Sequence, residues 1–140
     1  MMTTPQILHR ELCSENTLRA MVAEAEPWLR TRMATMLREE GYEVEVFTGC
    51  GGLLEALEAK HRQACPPSVV VCGLSGLGGS QTLASLRKYE CDTTLILVAG
   101  LDAEGAQVKA GRLQSECMLF KPLDLEDLRM AANILAEPWP

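Results

Sequence analysis

The stretch Ser68-Val69-Val70-Val71-Cys72 runs straight into Gly73-Leu74-Ser75-Gly76-Leu77-Gly78-Gly79-Ser80. Three consecutive valines entering a glycine-rich segment read as a buried central strand that ends at a sharp turn. In an open α/β sheet, functional groups gather at the carboxyl ends of the strands. Gly73 and its loop are therefore expected to line any site. Three other strand ends should converge there: Glu24-Ala25-Glu26, Ala99-Gly100 and Lys121-Pro122. Position 73 is a glycine and brings no side chain to do chemistry.

The rest of the chain fits around that strand. Residues 1–16 show no convincing period and read as a loosely held extension. Leu18 to Ala23 reads as a strand, and Pro27 suits the first turn of a helix, where its missing N–H costs little. Trp28, Leu29, Met33, Met36 and Leu37 recur at helical spacing, with Trp28 anchoring the first turn and Gly41 following as a C′ residue. Val44 to Phe47 alternates as a second strand. A second helix carries Leu53, Leu54 and Leu57 on one face, until Pro66-Pro67 breaks the chain before the central strand. Ser80 to Lys88 reads as a third helix and Leu95 to Val98 as a fourth strand, whose uninterrupted apolar run calls for cover on both faces. Asp102 to Leu113 is a weak fourth helix. Cys117 to Phe120 is the last strand, and Asp124 can N-cap a fifth helix through Leu125, Leu128 and Leu135. Five strands alternating with five helices predict an α/β fold with a parallel sheet wrapped on both faces. One domain over residues 17–136 is expected, with a short tail over 137–140.

Composition narrows the function classes. A formal charge of -6 argues against a nucleic-acid surface on this domain, because phosphate neutralisation needs clustered Lys and Arg. No apolar run reaches the roughly 18 residues a membrane span needs, and the N-terminus lacks a signal-peptide core. The expected setting is cytoplasmic, with no membrane contact. The six cysteines contain no C-x-x-C, and neither His9 nor His61 completes a metal-ligand pattern. They read as free thiols in a reducing compartment, with Cys72 and Cys117 as small buried strand residues. The spacing gives no support to a redox role for Cys50 or Cys91, both read as exposed.

From Thr17 to Ala136 the chain resembles a response-regulator receiver domain, the flavodoxin-like (CheY-like) module of two-component signalling. Three segments carry the resemblance. Glu24-Ala25-Glu26-Pro27 stands where receivers have an acidic motif after the first strand. Pro67 to Leu74 stands where they have an apolar strand ending in the phospho-accepting Asp. Phe120-Lys121-Pro122-Leu123-Asp124 matches the Lys-Pro signature after the fifth strand. The resemblance implies a strand order of 2-1-3-4-5.

It also marks what is missing. Gly73 replaces the nucleophilic Asp, Ala25 replaces one of the acidic Mg²⁺ ligands, and Ala99 replaces the Ser or Thr that would bond the phosphoryl group. Glu24, Lys121 and Pro122 match the pattern, and Glu26 is a further acid beside them. The resemblance therefore implies a degenerate pseudo-receiver: not an enzyme, without a cofactor, and independent of the phosphorelay. Lys121 should reach Glu24 or Glu26, either as simple neutralisation or as a switchable salt bridge. A signalling protein is the implied partner. The family's usual output face, from the fourth helix through the fifth strand to the fifth helix, would carry Lys109, Arg112, Asp124, Glu126 and Arg129 and could form a homodimer. An ordinary solvated helix surface is the competing account of those charges. Two rival functions remain: phosphate or nucleotide binding by the Gly73–Ser80 loop, whose P-loop frame has Gly79 in place of lysine, and service as the regulatory domain of a longer transcriptional or signalling protein.

Overall fold

The computed structural model describes residues 18–74, 84–86, 88, 93–100 and 116–135. In chain order these form β1 (Leu18–Ala23), α1 (Pro27–Glu39), β2 (Tyr42–Phe47), α2 (Cys50–Arg62), β3 (Val69–Leu74), β4 (Thr94–Ala99), β5 (Glu116–Phe120) and α3 (Leu125–Leu135). The five strands make one sheet of order β2-β1-β3-β4-β5. All four pairings are parallel. The fold is the five-stranded flavodoxin-like sandwich that the sequence predicts.

Alternation along the strands builds two cores. Met21, Ala23, Val70, Cys72, Leu95 and Leu97 face Leu53 and Leu57 of α2, together with Leu86. Ala20, Val22, Val69, Val71, Ile96 and Val98 face Leu29, Met33 and Leu37 of α1 and Leu128 and Ala132 of α3. Successive strand residues point to opposite faces. A strand covered on both sides must therefore be apolar at every position, which explains the unbroken runs in β3 and β4. Edge strand β2 is only partly covered: Tyr42 is buried, while Glu43, Glu45 and Val46 are exposed. The Tyr42 hydroxyl donates to the carbonyl of Ala132 at 3.2 Å and ties β2 to α3.

Local signals set the ends. Pro27 opens α1, and Gly41 follows it with φ of 98°, the left-handed region that glycine enters without strain. Asp124 caps α3: its Oδ1 accepts from the Glu126 N–H at 2.9 Å. Several expectations need correction. Gly73 and Leu74 belong to β3 and continue its pairing to β4, because Val98 and Ala99 lie opposite them. Tyr42 rather than Val44 begins β2. Trp28 does not anchor α1. It is 62% exposed, because the stripe that is buried runs through Leu29, Met33, Ala34, Met36 and Leu37. Cys65 is disulfide-bonded, so the six cysteines are not all thiols. Its partner lies outside the described residues, as do the N-terminal extension, the tail and the predicted fourth helix.

Candidate functional site

The carboxyl ends of β1, β3, β4 and β5 open into a cavity of about 690 Å³. Glu24, Glu26, Trp28, Gly73, Gly100 and Lys121 are among its walls. The sheet order makes this meeting inevitable: β1 and β5 flank the central pair β3 and β4. The four segments singled out in the sequence therefore converge.

Glu24 is the centre of the arrangement. It is 2% exposed and follows β1 directly. Its Oε2 accepts from the Lys121 ammonium at 3.0 Å and from the Glu26 N–H at 3.0 Å. Its backbone is also held, with the N–H donating to the Phe47 carbonyl at 3.1 Å and the carbonyl accepting from Arg30 Nη1 at 2.9 Å. The other carboxylate oxygen, Oε1, is buried without a hydrogen-bond partner among the described residues. It lies over Gly73: a Cβ built on that glycine would sit 2.5 Å from Oε1 and 3.3 Å from the Glu24 Cδ. At that approach something must shift, and the atom in the way is the end of the Glu24 side chain. The carboxylate of Glu24 uses the room that a side chain at position 73 would need.

Lys121 closes the site from β5. Its N–H donates to the Ala99 carbonyl at 2.9 Å, which fixes the start of the turn. A cis peptide joins it to Pro122. The ammonium contacts Glu24 at 3.0 Å and Glu26 at 3.2 Å, with the Lys121 side chain one-quarter exposed. Burial opposes its charge, but hydrogen bonds and Coulomb attraction to the two carboxylates outweigh burial and raise its pKa above the ordinary lysine value. Ala25 is exposed and Ala99 is buried, and neither brings a polar side-chain group.

A second pair of groups lies on the α2 side of Gly73. The Cys50 thiol donates to the Gly73 carbonyl at 3.6 Å, and the Cys72 thiol approaches the same oxygen at 4.0 Å. Cys50 is the first residue of α2 and is half-buried rather than exposed. Sequence spacing gives no hint of this pair, because the two residues reach each other only through the packing of α2 on β3.

The remaining calls fall elsewhere. Asp124 and Glu126 are exposed. Arg129 pairs with Glu40, just after α1, at 3.0 Å and with Glu126 at 3.3 Å. Lys109, Arg112 and residues 75–80 of the glycine loop lie outside the described residues. A second cavity, of about 660 Å³, sits at the opposite end of the sheet beside Arg19, Glu43, Glu45 and Lys60. Its charges pair with each other, Arg19 with Glu43 at 3.8 Å and Lys60 with Glu45 at 3.5 Å. Among the described residues, no helix is long and apolar enough to cross a membrane.

Comparison with known proteins decides the family. The model of the response regulator receiver domain matches residues 20–133. This chain belongs to the receiver-domain family. It is 31% identical over 117 residues to the transcriptional activator protein PfeR of Pseudomonas aeruginosa, a match covering 84% of this chain and 37% of that protein. The receiver thus spans little more than a third of that relative's length. Among solved structures, a response regulator receiver protein from Sinorhizobium medicae superposes with a TM-score of 0.71 at 17% identity, covering 88% of this chain and 97% of the other. The receiver domain of the Francisella response regulator 1452 gives 0.70 at 22% identity, covering 86% and 97%. At these identities the structural matches speak for the fold.

Proposed function

We propose that this receiver is a pseudo-receiver, which works without phosphotransfer and signals by contact with another protein. The observation that carries the reading is the Glu24 carboxylate packed over Gly73. An aspartyl phosphate needs a carboxylate nucleophile at the end of β3. Position 73 has neither the carboxylate nor the space for one while Glu24 keeps its place. Ala99 offers no hydroxyl to a phosphoryl oxygen.

The donor set also fits Mg²⁺ poorly. That ion requires near-octahedral oxygen ligands. Here one oxygen of each Glu is taken by the Lys121 ammonium, Ala25 supplies no ligand, and Glu24 Oε1 is shut against Gly73. Lys121 thus acts as a fixed internal cation, and the reading includes neither a cofactor nor an enzymatic step. Family membership supports a cytoplasmic signalling role, with a protein rather than nucleic acid as the partner of this domain. The match to PfeR supports a further step: the receiver regulates an output unit in a longer transcriptional protein.

The test uses Trp28, which lines the cavity and is exposed. In a Trp139→Phe variant it is the one remaining tryptophan. Titration with Mg²⁺ and beryllofluoride, a phosphoryl mimic, should leave its fluorescence unchanged. Saturable, Mg²⁺-dependent quenching would overturn the reading.

A further inference from the structure

The two thiols beside Gly73 are not used by anything described above. Cys50 and Cys72 come from different elements, yet both sulfurs gather on one carbonyl oxygen, at 3.6 and 4.0 Å. Neither belongs to a disulfide. Their surroundings differ in a useful way. Cys50 begins α2, where the unpaired N–H groups of the first turn place partial positive charge beside its sulfur. Cys50 itself is half-buried. Cys72 is fully buried in β3. A hydrogen bond with Cys50, then burial, then the negative charge of Cys50 and Glu24 raise its thiol well above the ordinary range. Cys50 is thus the more accessible of the two thiols, and Cys72 is held protonated at its side.

From this geometry we infer that Cys50 and Cys72 form a redox-modification site, in which a peroxide oxidises Cys50 and Cys72 resolves it to a disulfide. In the first step the Cys50 thiolate attacks a peroxide oxygen. The S–O bond forms, the O–O bond breaks, and the departing hydroxide takes up a proton as water, leaving Cys50 as a sulfenic acid. In the second step the Cys72 thiol loses its proton as its sulfur attacks that of Cys50. The S–S bond forms, the S–O bond breaks, and the hydroxide leaves with that proton as a second water. Two thiols are oxidised and one hydrogen peroxide is reduced to two waters. The product staples the start of α2 to the end of β3, one residue before Gly73. It gives the strand end a chemical input that needs no phosphate.

The experiment treats the whole chain with hydrogen peroxide, blocks remaining thiols with iodoacetamide and maps tryptic peptides by tandem mass spectrometry. Cys65 and Cys72 share a tryptic peptide, and cleavage across Pro66-Pro67 in the spectrometer separates them. The expected product is lighter by two hydrogen atoms, with the new link between Cys50 and Cys72 and with Cys117 still alkylated. A Cys72→Ala variant should stop at the sulfenic acid, which dimedone traps on Cys50. The wild-type map alone remains decisive if that variant fails to fold. The proposal is overturned if both thiols stay alkylatable after peroxide, if Cys50 ends as a sulfinic acid beside an intact Cys72 thiol, or if the new link joins other cysteines.

Discussion

The strand ends at the edges of the cavity and those at its centre are built in opposite ways. After β1 and β5 stand three charged side chains, joined at 3.0 and 3.2 Å into one cluster. At the ends of β3 and β4 stand Gly73 and Ala99, with no polar side-chain atom between them. Among the described residues, the flanking strand ends carry the charged side chains, and the central ends carry none. The charge at these strand ends serves an internal pairing. Glu24 and Lys121 pair with each other, and the Glu24 carboxylate lies where a side chain on residue 73 would go.

Substitutions can break this contrast from either side. The largest effect should come from the flank. Lys121→Met leaves the buried Glu24 carboxylate without its cation and should cost about 3 kcal/mol in urea unfolding. A cost near zero would mean that Glu24 turns to water as readily as it pairs. The centre comes next. Gly73→Ala forces a carbon against Glu24 Oε1 and should cost about 2 kcal/mol. The same change in a Glu24→Ala background should cost much less, so a double-mutant cycle reads the coupling directly. Additive costs would contradict the packing account.

The pH response sharpens the same point. The folded-state pKa of Lys121 is raised, so its contribution is complete below the ordinary lysine value of 10.5 and fades as pH climbs through the higher folded value. Wild type should therefore lose more stability between pH 9 and strongly alkaline solution than Lys121→Met does. Equal losses would remove the ion pair from the account. The smallest effect belongs to the surface of α3. Glu126→Gln, at an exposed pair with Arg129, should change stability by no more than about 0.5 kcal/mol. A larger loss would mean that the Arg129–Glu40 tie depends on it.

Much of this was legible before any coordinates. Val69 to Val71 and Leu95 to Val98 announce strands covered on both faces, and the alternation of elements then leaves little choice of sheet. Gly73, Ala99 and Lys121 could be placed at strand ends, because ends follow from where apolar runs stop. What stayed hidden depends on side-chain direction. Periodicity puts Trp28 next to Leu29 but does not say that the indole turns outward over the cavity. Nothing in residue spacing shows Glu24 leaning over Gly73, since that contact spans two strands and depends on a missing Cβ. The Cys50–Cys72 pair and the Cys65 disulfide were missed for a related reason: sulfurs brought together by tertiary packing leave no local motif.

Intact mass after incubation with acetyl phosphate and Mg²⁺ tests the central claim most directly. If Glu24 and Gly73 together remove the phospho-acceptor, the mass of the chain stays unchanged. A stable gain of one phosphoryl group would contradict the account, and it would require a nucleophile other than residue 73.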